Sequence, residues 1–254
     1  MTLPRTPSFS LKGKRALVVG ASSGIGSACA VALAEHGADV TIAARRKNRL
    51  LKIADEMRIE EWNVNTLEMD VANVEETAAT IAGGEPFDIL VNSAGLAKHS
   101  RSLDTLEKDF DTVFEINLKG AYFLTQAVAK SLFTAGKPGS LINISSQMGL
   151  VGGQERAAYC SSKHAVEGFT KAMAIEFGSA HIRVNTICPT FILTDMTRAT
   201  FEDPEKRSWI ENKIKLGRVG NVEDIMGAVV YLASDASSLV TGSALLIDGG
   251  WTAG

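Results

Sequence analysis

Basic residues are in the minority in this chain, with 26 Lys and Arg against 29 Asp and Glu and a formal net charge of −3. No broad cationic field is therefore on offer to a nucleic-acid backbone, and the longest basic run, Arg45-Arg46-Lys47, is short. Cysteine is scarce and odd in number. Cys29, Cys160 and Cys188 lie far apart, which excludes a disulfide framework and fits small buried side chains in a reducing compartment. The 4 His residues, with the cysteines and carboxylates, show no metal-ligand spacing, so no metal is expected. Long apolar runs are also missing. No stretch reaches membrane-spanning length, and Met1 to Ser10 holds two prolines and several hydroxyl residues where a signal peptide would have an apolar segment. A cytoplasmic protein with a small-molecule partner is the expectation.

The chain has 254 residues, 45% of them hydrophobic and 22% charged, enough for a substantial core in one or two domains. Strand-length apolar runs at Ala16–Val19, Asp39–Ala43, Asn65–Met69, Ile89–Asn92, Ser140–Ile144, Arg183–Ile187 and Ala244–Ile247 alternate with segments of helical period. The helical segments are Ile25–His36, Lys47–Ile59, Val74–Ile81, Asp109–Thr134, Ala157–Ser179 and Val222–Ala233. Several runs are Val/Ile/Leu-rich on both faces, as buried parallel strands should be. The order predicts an α/β fold, a single Rossmann-type doubly wound parallel sheet flanked by helices, spanning 1–254 as one domain. The alternation breaks between residues 195 and 217, where Phe201, Trp209 and Ile210 lie among charges around Pro204. A helical lid over the carboxyl edge of the sheet is expected there, because ligands of such folds bind at that edge.

Tyr159 and Lys163 are four residues apart on the predicted Ala157–Ser179 helix, hence on one face. An ammonium about 4 Å from a phenol, at an effective dielectric of about 20, favours phenolate by about 4 kcal/mol, nearly three pKa units. Such a phenol is an acid/base usable near neutrality. The first strand runs into Gly20-Ala-Ser-Ser-Gly24-Ile25-Gly26 and then a helix. Glycines there permit a tight turn and close approach of backbone N–H groups to a pyrophosphate. At the end of the second strand, where a carboxylate would bind the ribose 2′-hydroxyl of NAD, the chain has Ala44 followed by Arg45 and Arg46. Arg45 offers a planar donor to a 2′-phosphate, with Ser22 and Ser23 adding hydroxyls, so NADP(H) is favoured over NAD(H).

The glycine loop, Asn92-Ser-Ala-Gly95, Ser146 and Tyr159-x-x-x-Lys163 occur in a fixed order. Together they resemble the short-chain dehydrogenase/reductase family, in the single-domain branch that includes the 3-oxoacyl-carrier-protein reductases. The resemblance runs from Leu11 to Gly250. It implies Tyr159 as general acid/base and Lys163 as the residue that lowers its pKa and binds the nicotinamide ribose. Ser146 would hold the substrate oxygen, with Ser145 the competing assignment, and the backbone of Asn117 would hold a water of the proton relay. It further implies that Asp70, followed by Val71, caps the adenine and that Asn92, Ala94 and Gly95 line the adenosine ribose. Ile192 and Thr194, in the segment starting at Pro189, would bind the carboxamide. The chain departs from the family at Val19, Ser93 and Thr190, the last placing a side chain near the nicotinamide. A homotetramer through the long helices is implied too.

Substrate identity is not written in these motifs. Leu96 to His99, Gln147, Met148, Gly153 to Arg156 and Phe191 to Phe201 are the candidate pocket, of mixed character. Trp251 is a candidate subunit contact. An NAD-dependent sugar or polyol dehydrogenase is the alternative, and a non-catalytic NADP(H)-sensing regulator is the alternative of another class, against which the intact Asn117, Ser146, Tyr159 and Lys163 set argues.

Overall fold

The computed structural model describes residues 3–254 and leaves the side chain of Ala199 undescribed. Seven strands form one sheet: β1 (Arg15–Val19), β2 (Asp39–Ala44), β3 (Val64–Glu68), β4 (Ile89–Asn92), β5 (Gly139–Ile144), β6 (Ile182–Pro189) and β7 (Ala244–Ile247). Their order is β3-β2-β1-β4-β5-β6-β7 and every neighbouring pair is parallel. The chain reverses its direction of travel across the sheet between β1 and β4. Crossovers leave opposite faces there, so a crevice opens at the strand carboxyl ends.

Side chains alternate along each strand, and both faces are covered. Ala16, Val18, Val40 and Ile42 pack towards α1 (Gly24–Glu35), α2 (Lys47–Ile59) and α9 (Glu223–Ala233). Leu17, Val19, Leu90 and Leu141 pack the other way, against α3 (Val74–Ala82), α5 (Ala121–Ala135) and α6 (Ala157–Phe177). The buried face of α1 is built from Leu33 and the small residues Gly26, Ala28, Cys29, Ala30, Ala32 and Ala34, which let it lie close to the sheet.

The predicted Asp109–Thr134 helix is not a uniform α-helix. It consists of α4 (Glu107–Phe114), a π-helical turn at Glu115–Gly120, and α5, with helical dihedrals at both junctions. Tertiary contacts account for the turn. A Cβ on Gly120 would lie 2.9 Å from Val71, and the amide of Asn117 is tied to the backbone of Leu96. π-turns inside helices collect at functional sites.

Between residues 195 and 217 the chain forms α7 (Arg198–Phe201) and α8 (Pro204–Lys213). Asp203 caps α8 through Glu205 N and Lys206 N, with Pro204 in its first turn. Phe201, Ile210 and Ile214 make a small core of their own with Phe191, Val219 and Trp251. Trp251, half-buried, lies 5.5 Å from the Phe191 ring and 5.7 Å from Trp209.

Candidate active site

β1 runs straight into Gly20, whose φ of +81° lies in the left-handed region, and Gly24 follows at +60°. A Cβ on Gly20 would come within 2.6 Å of Ala94 N, and one on Gly26 would strike the Gly20 carbonyl. Backbone packs on backbone here, with no flexible neighbour to yield. The first turn of α1 holds no acidic residue, and the Ser23 side chain makes no cap hydrogen bond. Its leading N–H groups therefore lack a side-chain cap, which suits a pyrophosphate. The residues present fit a dinucleotide.

A cleft of about 450 Å³ opens over this cradle. Of the residues proposed from sequence, Gly20, Ser22, Ser23, Gly24, Ile25, Arg45, Arg46, Asp70, Val71, Ala94, Gly95, Ser146, Tyr159, Lys163, Pro189, Ile192 and Thr194 line it. Three stand behind its wall. Gly26 lies under the loop. Asn92 is buried, its Oδ1 accepting from Ala94 N at 3.2 Å and its Nδ2 donating to Asn143 at 3.1 Å, so it shapes the loop that lines the cleft rather than the cleft itself. Asn117 is 1% exposed.

At the end of β2 the two arginines divide. Arg46 donates to Ser22 Oγ from Nη2 at 2.7 Å and Nε at 3.2 Å, and to Ser23 Oγ at 3.2 Å. Arg45 turns to Asp70, 3.8 Å away. The guanidinium attached to the glycine loop is thus that of Arg46, while both arginines line the cleft. Asp70 also accepts from Ala72 N, closing the β3 turn. Across the cleft Thr194 comes close to Gly24, where a Cβ would be 3.2 Å from its methyl group. Thr190, where the family has glycine, carries a buried hydroxyl with no partner among the described residues.

Tyr159 and Lys163 share one face of α6, as their spacing predicts. Lys163 Nζ lies 5.8 Å from the tyrosine ring centroid and donates to the Ile144 carbonyl at 2.9 Å. Burial pushes the Tyr159 phenol above its usual value, while the neighbouring Ser146 hydroxyl and the charge of Arg156 pull it back. Burial likewise drives Lys163, 5% exposed, down to about 8 against the opposing influence of Cys188 and Glu167. Ser146, at the start of a short turn after β5, accepts from Met148 N at 3.1 Å and presents its hydroxyl to Tyr159. Ser145 Oγ is buried with no hydrogen-bond partner among the described residues.

Asn117 sits within the π-turn. Its side chain exchanges hydrogen bonds with Leu96 N and O at 2.9 and 2.8 Å and donates to Ser162 Oγ at 3.1 Å. It pins the loop after β4 to α6. A Cβ on Gly95 would be 3.3 Å from Asn117 Oδ1 and 3.7 Å from Lys163 Nζ, so glycine keeps this corner open.

Two neighbours were missed as individuals. Glu167, 4% exposed, accepts from Thr186 Oγ1 at 2.9 Å and Cys188 Sγ at 3.3 Å below Lys163. It continues the four-residue ladder from Tyr159 through Lys163, a signal present in the sequence. Arg156, named only within a span, lies three residues before Tyr159. Its Nη1 contacts the His99 ring.

The family model for enoyl-(acyl carrier protein) reductase matches residues 20–252. The chain is 37% identical to the D-erythrulose reductase of Gallus gallus, over 96% of this chain and 98% of that one. It is 38% identical to the L-xylulose reductase of Bos taurus, with the same coverage. A crystal structure of a gluconate 5-dehydrogenase from Burkholderia cenocepacia, in complex with NADP and tartrate, superposes with a TM-score of 0.93 at 33% identity, covering 97% of this chain and 98% of that one. With the parallel sheet, the glycine cradle and these matches along nearly its full length, the chain belongs to the short-chain dehydrogenase/reductase family.

Proposed function

We propose that the chain carries out its family's reaction, hydride transfer between NAD(P)(H) and a carbonyl or secondary alcohol, with NADP(H) as working cofactor and small polyhydroxylated compounds as substrates. The observation that carries the reading is the Ser146–Tyr159 hydroxyl pair at one end of a cleft whose other end is the glycine cradle. When bound, the cofactor supplies or takes up the hydride. Gly20, Gly24 and the start of α1 would hold its pyrophosphate. Ser22, Ser23, Arg45 and Arg46 would hold a 2′-phosphate, with no carboxylate at Ala44 to repel it. Asp70 and Val71 would border the adenine, Ala94 and Gly95 the adenosine ribose, and Pro189, Ile192 and Thr194 the carboxamide.

Ser146 and Tyr159 hydrogen-bond the substrate oxygen, where negative charge gathers during reduction. Tyr159 Oη gives up its proton to that oxygen and recovers it through Lys163 and the Asn117 corner. In oxidation the same phenol accepts the proton. The chain's relatives, named for erythrulose, xylulose and gluconate, support small polyols as the substrate class. Exposed Phe110, Phe123, Phe133 and Ile175 favour burial in a homotetramer, and three unpaired buried cysteines fit the cytoplasm. The α7–α8 segment is the proposed lid of the single domain.

The test is NADPH consumption with ketoses, and NADP+ reduction with alditols and aldonates, by wild type and Tyr159→Phe. The variant should lose about 10²- to 10⁴-fold in turnover while cofactor affinity stays at the wild-type value. Undiminished turnover would overturn the role of Tyr159. Tight NADPH binding without turnover of any compound would favour the sensing alternative.

A further inference from the structure

Arg156 occupies the point where three strand-end loops converge. It precedes α6, one turn before Tyr159. Its guanidinium lies 5.2 Å from the ring centroid of Phe191, in the loop after β6. Its Nη1 is 2.8–3.0 Å from the ring nitrogens of His99, in the loop after β4. That loop is tied down locally, Ser100 N donating to the Glu155 carbonyl at 3.1 Å. The guanidinium is close enough to the Tyr159 phenol for each to influence the other's ionisation.

A guanidinium has five N–H donors. Here one nitrogen faces one imidazole, and among the described residues the group has no other hydrogen-bond partner and no carboxylate within ion-pair distance. Glu155 is exposed beside it without forming a pair. Half-buried guanidinium groups are usually paired, because leaving water without a counter-charge is costly. Burial and Arg156 both hold His99 below its usual value, so at neutral pH it adds no second cation. Lys98, next to His99 in sequence, is engaged with Asp109 at 3.5 Å. One planar cation with a free donor edge beside an aromatic wall matches a carboxylate better than a phosphate dianion.

We propose that Arg156 anchors a carboxylate of the substrate, so that the chain acts on hydroxy and oxo sugar acids in preference to neutral sugars. This rests on the polyol oxidoreductase reading above and decides between its acidic and neutral branches. The carboxylate, held by the free edge of the guanidinium against Phe191, sets which carbon of the chain reaches Ser146 and Tyr159.

The experiment compares matched pairs, aldonates and the alditols with the same carbon stereochemistry (D-gluconate with D-glucitol, D-galactonate with D-galactitol), on wild type, Arg156→Leu and Arg156→Lys. Two readouts are taken: NADP+ reduction, and the shift in melting temperature that each compound adds to the NADP+ complex. In wild type at least one aldonate should exceed its alditol about 10-fold or more in kcat/KM. Arg156→Leu should reduce that ratio about 10- to 100-fold, as expected for one charge-assisted hydrogen bond. Arg156→Lys should restore part of it. The ratio cancels whatever Arg156 does to Tyr159 for both substrates alike.

Equal loss with acid and alditol in Arg156→Leu would make Arg156 a clamp between loops and overturn the proposal. So would better turnover of the neutral member of each pair, or stronger protection by D-glucitol 6-phosphate than by D-gluconate. The thermal readout separates the two levels. Turnover of neither class, with Arg156-dependent protection by aldonates intact, would sink the oxidoreductase reading and leave the anchor standing. Turnover without any Arg156-dependent preference would do the reverse.

Discussion

Lys163→Met should make the cofactor-free protein more stable while removing its activity. Burial has lowered this amine from 10.5 to about 8, so at pH 7 the folded protein carries a charge that its surroundings disfavour. The gap corresponds to about 3 kcal/mol against folding at pH below 8, at 1.36 kcal/mol per pKa unit. Methionine has a similar unbranched length and no charge to desolvate. It also leaves the Ile144 carbonyl without the 2.9 Å hydrogen bond it accepts from Nζ, at a cost of about 1 kcal/mol. The net gain is about 2 kcal/mol, or about 4–8 °C in melting temperature for a chain of this size.

The pH dependence identifies the cause. Between about 8 and 10.5 the unfolded lysine binds a proton that the folded one has released. Wild-type stability contributed by this group therefore rises with pH across that window, whereas the variant's does not. The advantage of Lys163→Met should be full at pH 7 and shrink above pH 8. Saturating NADPH should offset it, since ligand at about 100 times its Kd adds about 2.7 kcal/mol to whichever form binds it. Thermal melts at pH 7 and pH 9.5, with and without NADPH, check all of this. A variant no more stable than wild type, or one whose advantage ignores pH, would refute the claim that the lysine is held at a cost in stability for use in the site.

Arg46→Ala removes the guanidinium attached to Ser22 and Ser23; it should raise the KM for NADPH about 10- to 100-fold with that for NADH within about 2-fold, and equal losses would assign Arg46 to loop structure alone. Ala44→Asp sets a carboxylate at the end of β2 and should reverse the preference towards NAD(H), as read from the ratio of kcat/KM values; a wild type already preferring NAD(H) would refute the arginine argument. Gly26→Ala drives a Cβ onto the Gly20 carbonyl; it should cost about 1–3 kcal/mol in denaturant unfolding and weaken cofactor binding, whereas wild-type values of both would show that the cradle yields.

The parts of this molecule that were legible in its sequence are those whose meaning is local and periodic. β1 and β4 are buried on both faces, so their apolar runs announce them, and the predicted Ile89–Asn92 matches β4 residue for residue. β3 lies at the sheet edge with only Val64 buried, and there the predicted span was one residue late. The four-residue spacing of Tyr159 and Lys163 put them on one face because α6 is regular. Spacing along a helix says nothing about where a flexible amine ends, and Lys163 reaches back to a carbonyl of β5. The π-turn was illegible for a related reason. Gly120 and Asn117 weaken Glu115 to Gly120 as a helix without prescribing a wider turn, and what accompanies the extra residue per turn is Gly120 against Val71 and Asn117 against Leu96, contacts made by other segments. Arg45 and Arg46 differ by one position at a strand end, where neighbouring side chains leave in different directions, so only the fold shows that Arg46 reaches Ser22 and Arg45 reaches Asp70. Arg156 is the extreme case. Nothing within its own helix assigns it a role, and its meaning comes from His99 and Phe191, which reach it from the loops after two other strands. Cofactor chemistry, carried by a strand–loop–helix unit, is therefore readable from order and spacing, while substrate choice, carried by residues that meet only at the strand ends, requires the fold.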